Sequence, residues 1–222
     1  MNLENNINMR RDTTYMDEKL AEFIGILLGD GSIGVYKSKN PEKPRYRLKI
    51  TLNSVKDRAY VDYVSSLIKD LFSIEPLIYF RKNENTADII LLNENVIKYL
   101  FNIGMKPSPK WNTAIIPELF LKNTLALNVL RGYMDTDGCI TNMNNNGTRY
   151  PRIEMKICPS PMQTQIVTIL RENGFDPRVN DIGKGKVRIM LSGKEKLNRW
   201  HNLIGFSNER NQKVADYFMN EK

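Results

Sequence analysis

The chain reads as an α+β protein: a tandem, pseudo-two-fold αββαββα repeat with two antiparallel β-sheet saddles flanking a two-helix interface. Three observations predict this. Residues 23–31, Phe-Ile-Gly-Ile-Leu-Leu-Gly-Asp-Gly, return as residues 130–138, Leu-Arg-Gly-Tyr-Met-Asp-Thr-Asp-Gly, at an offset of 107 residues from Asp30 to Asp137. In each copy a Gly stands four positions before a second small residue, Gly25 with Gly29 and Gly132 with Thr136. That spacing puts both on one helix face and lets two helices pack closely. Each copy is followed by strand patterns that alternate apolar and basic residues in the same phase. A repeat of this length implies a pseudo-dimer within one chain.

The elements follow in order. Residues 1–15 are polar and Asn-rich, and read as a flexible tail with no signal-peptide core. The first half covers 16–103. Asp17 is suited to cap a helix running through Leu20, Phe23, Ile24 and Leu27 to the first Asp-Gly. A strand at Ile33–Tyr36 and a polar turn over 37–44 lead to Arg45–Leu52. There Tyr46, Leu48, Ile50 and Leu52 form an apolar face, and Arg45, Arg47, Lys49 and Thr51 form the other. A helix over Val55–Phe72, strands at Leu77–Lys82 and Ala87–Leu92, and a helix at Glu94–Phe101 complete the half. Residues 104–122, with Pro107, Pro109 and Pro117, read as the connector.

The second half, 123–222, repeats the order. Thr124 takes the place of Asp17, and the helix runs through Leu127, Leu130 and Met134 to the second Asp-Gly. The same offset carries Arg45 and Lys49 onto Arg152 and Lys156 in the strand Arg152–Cys158. A helix over Pro161–Asn173 precedes strands at Pro177–Ile182 and Lys186–Leu191, joined by Gly183-Lys184-Gly185 as a hairpin turn rather than a phosphate loop. Helices at Lys194–Leu203 and Glu209–Asn220 follow.

With 222 residues, 41% hydrophobic and 26% charged, the chain can bury a sizeable core. A net charge of +8 and a pI near 9.4 favour a polyanionic partner, nucleic acid before membrane. No apolar run is long enough for a membrane span. Cys139 and Cys158 suit a reduced, intracellular protein that is not secreted, and cannot alone hold zinc. His201 is the sole histidine, which removes most histidine-based catalysis.

Asp30 and Asp137 are the candidate metal ligands. Mg²⁺ takes oxygen ligands and is typically held by one or two carboxylates, waters and substrate phosphates. Two Asp side chains at paired helix ends supply that minimum, and the Gly29 and Thr136 carbonyls add oxygens. Like charges brought together there repel, and a cation relieves the repulsion. A single Asp-Gly is an ordinary helix stop; two at matched places in two half-domains point to a shared site. The basic strand positions Arg45, Arg47, Lys49, Arg81, Arg152, Lys156, Arg178, Asn180, Lys186 and Arg188 suit β-ribbons in a DNA major groove.

The paired motifs, with the αββαββα order around them, resemble those of the LAGLIDADG homing endonucleases of the single-chain, two-motif type. The resemblance spans roughly residues 16–220 and rests on Gly25, Gly29, Asp30, Gly31, Gly132, Asp135, Thr136, Asp137 and Gly138. It implies that the motif helices pack at the pseudo-two-fold axis, with Asp30 and Asp137 binding Mg²⁺ near the scissile phosphates. Mn²⁺ is expected to substitute, and Ca²⁺ to bind without supporting cleavage. A double-strand break with 3′ overhangs at a long asymmetric DNA target, initiating intron homing by a monomer acting as a pseudo-dimer, is what such a protein produces. Its own intron RNA is a further expected partner.

The family often carries Gln followed by Lys at the end of the second strand. Here those places hold Leu52-Asn53 and Cys158-Pro159. Lys106, Lys110, Arg210 and Lys213, just past each half, are the candidate charges for the transition state. Leu28 in motif one faces Asp135 in motif two, so the halves differ chemically. Two alternatives stay open at this level: a non-catalytic nucleic-acid binder on the same fold (an RNA maturase or transcription factor), and a duplicated basic protein with no nucleic-acid role.

Overall fold

A computed structural model of the chain describes residues 3–37 and 44–220, with side chains described from Tyr15 onward. The first half contains α1 (Leu3–Leu28), β1 (Gly31–Tyr36), β2 (Arg45–Asn53), α2 (Arg58–Phe72), β3 (Leu77–Phe80), β4 (Thr86–Leu91) and α3 (Glu94–Asn102). The second contains α4 (Asn123–Asp137), β5 (Gly138–Asn145), β6 (Thr148–Ile157), α5 (Met162–Glu172), β7 (Arg178–Asp181), β8 (Val187–Ser192), α6 (Lys194–Leu203) and α7 (Glu209–Asn220). The strands form two four-stranded antiparallel sheets, ordered β1-β2-β4-β3 and β5-β6-β8-β7. Among the described residues no helix is long and apolar enough to cross a membrane.

Each sheet buries one face. In β2, Leu48, Ile50 and Leu52 are buried while Arg47, Lys49 and Thr51 are not. Ile153, Met155 and Ile157 do the same in β6. The helices cover these faces, and one apolar core runs through both halves from Phe23 and Ile24 to Leu130, Met134 and Trp200. Burial at this alternation, rather than intrinsic strand preference, sets the register.

Several sequence expectations move. The backbone of α1 is helical from Leu3, so residues 3–15 continue the helix and Asp17 lies inside it instead of capping it. Thr124 sits within the first turn of α4, whose cap position is Lys122. α2 starts at Arg58 because Asn53 Oδ1 accepts from the amides of Val55 and Lys56 and holds that stretch as a turn. The polar turn expected over 37–44 lies largely outside the described residues. The turn at Gly183-Lys184-Gly185 has positive φ at all three residues and closes with Lys186 N–H donating to Gly183 O, as a hairpin requires.

The repeat offset also changes along the chain. Gly31 pairs with Ile50, but Gly138 pairs with Met155. The 107-residue offset of the helices and first strands therefore becomes 105 in the second strands, from Ile50 to Met155. Lys49 corresponds to Glu154, Arg47 to Arg152 and Thr51 to Lys156, in place of the match of Arg45 and Lys49 to Arg152 and Lys156. The hairpin β5–β6 is the tighter of the two, its strands separated only by residues 146–147. A slip of two residues keeps every side chain on its face, so alternation alone does not reveal it.

Candidate active site at the helix pair

The last turns of α1 pack against α4 through the small residues of both helices. A Cβ placed on Gly25 would lie 2.1 Å from Val129 O, and one on Gly132 would lie 2.1 Å from Glu22 O. Each glycine thus receives the partner helix's backbone. At the next turn Gly29 meets the Thr136 side chain, 1.9 Å from the position a Cβ would take. The Thr136 hydroxyl is itself held by its own helix, 2.9 Å from Gly132 O and 3.0 Å from Tyr133 O. Gly31 and Gly138 are needed because each strand doubles back over its helix end. A Cβ there would come within 2.6 Å of Leu27 Cα or Met134 O. The second Asp-Gly does not stop the helix through a left-handed residue, since Gly138 is extended, with φ −98° and ψ 168°.

The close approach brings the two carboxylates together in a partly buried place. Burial, then the neighbouring Asp137 charge, push the Asp30 carboxyl up to about 6; Lys110 and Arg210 pull it down and Asp57 adds to the rise. Burial likewise raises Asp137, against the pull of Lys110. The Asp137 charge thus disfavours ionisation of Asp30, and holding both ionised requires nearby positive charge.

Lys110 supplies part of it. Its ammonium donates to the carbonyl oxygens of Leu28, at 2.8 Å, and Gly29 at the end of α1. Lys110 thus binds the Gly29 carbonyl, an expected metal ligand, through one of that oxygen's two lone pairs. Burial lowers the Lys110 ammonium, while both aspartates raise it. Arg210 lies 3.2 Å from Asp57 Oδ1 and is the other cation acting on Asp30. Lys106 lines the cleft beside Lys110 and Leu28. Lys213, exposed on α7, pairs with Glu209 at 2.9 Å and lines a groove with Arg210 and Asp57. Lys110 and Arg210 are the cations whose charge acts on Asp30.

Both cations are carried on segments tied to both halves. The connector carrying Lys110 is tied to the second half by Asn112 N–H to Pro159 O (2.6 Å) and Met162 N–H to Ala114 O (3.1 Å). The start of α7 is tied to the first half by Asn208 Nδ2 to Asp57 Oδ1 at 3.0 Å. The motif-two residue Asp135 anchors that segment. Its carboxylate accepts from the amides of Ser207 (2.6 Å) and Asn208 (3.0 Å) and from Asn211 Nδ2 (2.9 Å), and burial pushes it up to about 7 against those donors. Sequence reading missed Asp57 and Asn208, which bond to each other across the two halves, and Asn211, which binds Asp135 from a distant element of the same half.

The donor set fits a hard cation. It is oxygen-only, with two carboxylates, and among the described residues no third His, Cys, Asp or Glu joins a metal-ligating group. Such a site leaves most ligand positions to water and substrate oxygens, as Mg²⁺ and its relatives accept. Zinc sites are built mostly from Cys and His with three or four protein ligands, and among the described residues no such group forms.

The outward sheet faces carry the expected basic residues, but several are tethered. Asp88 accepts from Thr51 Oγ1 (2.7 Å) and Arg81 Nε (2.8 Å), with Lys49 Nζ at 3.6 Å. Glu154 lies 2.6 Å from Arg152 Nη2 and 3.5 Å from Arg188 Nε. Arg47 stacks over the Tyr36 ring at 4.4 Å, and Lys186 over Trp111 at 5.3 Å. Arg45, Lys156, Arg178 and Asn180 stand exposed. A groove of about 720 Å³ joins Asp137 and Lys110 to Lys156, Lys186 and Arg188. Neither buried carboxylate on the basic faces was expected from the sequence.

The model of the LAGLIDADG DNA endonuclease family matches residues 22–197. A search of the curated proteins finds no match. Among solved structures, the homing endonuclease I-DmoI in complex with DNA and manganese superposes with a TM-score of 0.63 at 15% identity, over 86% of this chain and 98% of that one. The meganuclease I-SmaMI, bound to uncleavable DNA, gives a TM-score of 0.64 at 10% identity, over 90% of this chain and 91% of that one. Those likenesses establish the fold, and the family match goes further: spanning both Asp-Gly motifs, both sheets and the connector between them, it makes this chain a member of the LAGLIDADG DNA endonuclease family.

Proposed function

We propose that this chain cuts both strands of a long, asymmetric DNA target with a divalent cation held by Asp30 and Asp137, leaving 3′ overhangs and initiating intron homing. The observation that carries the reading is the carboxylate pair, flanked by Lys110 and Arg210 and set between two basic sheets. The bound cation would polarise a scissile phosphate and acidify the attacking water. The chain's own part is to bring the two carboxylates together for that cation and to aim Lys110 and Arg210 where negative charge grows during hydrolysis. The DNA and metal ions recorded with I-DmoI support this assignment by analogy of fold.

Supercoiled plasmid carrying the uninterrupted host locus is expected to become linear, cut at one place, with Mg²⁺ or Mn²⁺, and to stay intact with Ca²⁺ or EDTA. Asp30→Asn and Asp137→Asn proteins should bind the same DNA without cutting it. Cutting by either variant at the wild-type rate would remove these residues from the site. Tight binding without cleavage of any cognate DNA would make the chain a binder on this fold.

A further inference from the structure

The two outward sheet faces differ most in their outer strands. Pairing places Leu77 beside Ile90, and Tyr79 beside Asp88, in the first sheet. The corresponding places in the second sheet hold Arg178 beside Met190, and Asn180 beside Arg188. Leu77 and Ile90 share the face of Lys49, and Tyr79 and Asp88 that of Thr51, so these side chains lie on the basic side, away from the core. Leu77 is 62% exposed and Tyr79 57%. A groove of about 690 Å³ runs from Leu77 and Ile90 to Tyr36, Arg45 and Arg47, continuous with the basic residues of β2.

An apolar patch continuous with the cations Arg45 and Arg47 is matched by the one apolar group that a major groove presents, the thymine 5-methyl. The arginines and Asn180 of the other sheet match the guanine O6/N7 edge and the adenine N6/N7 edge. We propose that the target is chemically lopsided: thymines lie under β3–β4 in one half-site, and purines, guanine foremost, under β7–β8 in the other. This rests on the DNA-cleaving reading above. It names the base class in each half, which that reading leaves open.

The test starts from the sequence that the protein cuts in a randomised DNA pool. Thymines are replaced by deoxyuridine, which lacks only the methyl, in one half-site at a time. Binding to the wild-type protein should weaken roughly four-fold per critical methyl in one half and stay unchanged in the other. Leu77→Ala should bind both versions of the sensitive half equally. In the opposite half, 7-deazaguanine should weaken binding to wild type, and Arg178→Ala should erase that difference. Equal sensitivity of the two halves to deoxyuridine, or a sensitivity that Leu77→Ala leaves intact, overturns the proposal. So does a Leu77→Ala protein that loses self-association while its DNA response is unchanged, since the patch then serves a protein contact. A pool in which nothing is cut defeats the cleavage reading itself, a separate and recognisable result.

Discussion

Burial and the Asp137 charge lift the Asp30 carboxyl from its ordinary 3.8 to about 6, so the fold favours its neutral form. That contribution is fully present below about pH 4 and fades as pH rises through 6. At neutral pH without metal, the ionised group is a liability of up to about 3 kcal/mol, the free-energy equivalent of that rise from 3.8 to about 6. Asp30→Asn removes the charge and keeps the shape. Its metal-free protein should be more stable than wild type at pH 7.5, by several degrees in thermal unfolding, with the gap closing by pH 4. Adding Mg²⁺ should raise the wild-type midpoint and leave the variant's in place. An equal or lower midpoint for the variant at pH 7.5 would mean that Asp30 is not electrostatically strained. Strain of this kind, relieved only by ligand, is a common cost of function.

The helix pair tolerates change unevenly, for a reason visible in what each glycine meets. An added Cβ at Gly132 would strike the Glu22 carbonyl, which cannot move without separating the helices. At Gly29 it would strike the Thr136 side chain, which can be removed. Gly132→Ala is expected to cost about 3 kcal/mol or more in chemical denaturation. Gly29→Ala should cost less, and Thr136→Ala in the same protein should recover part of that loss, since the hydroxyl at 1.9 Å goes while the Cβ at 2.8 Å stays; additive losses would show that the two side chains do not meet. These contacts were legible in the sequence because the small residues recur at helical spacing in two copies. The sheet faces were legible too, from the alternation about Leu48 and Ile153. The strand offset of 105 was not, because a two-residue slip leaves every apolar residue on its face. Nor were the ties of Asp57 to Asn208 and Arg210, which join residues far apart in sequence by a swap of segments that no local pattern encodes.

Across the molecule the net charge is +8, yet each basic sheet face holds one buried carboxylate among its cations. Asp88 restrains Lys49 and Arg81, and Glu154 restrains Arg152 and Arg188. Cations left free would seek any phosphate, and their binding would be strong, salt-sensitive and blind to sequence. Cations held by a carboxylate are fixed in direction and partly neutralised, which weakens non-specific attraction and orients them for base edges. Each buried acid therefore gives up some affinity for discrimination. Glu154→Gln keeps the size of the side chain and removes its charge. Its binding to random duplex should tighten, and the slope of log K against log salt should steepen by up to about 0.9 for each arginine that turns to a phosphate. Affinity for the cleaved target should rise less than affinity for random DNA, so the ratio between them falls. Asp88→Asn should do the same through the first sheet. An unchanged slope with an unchanged ratio would make both carboxylates ordinary packing partners of the arginines, and the selectivity of the saddle would then rest on the exposed side chains alone.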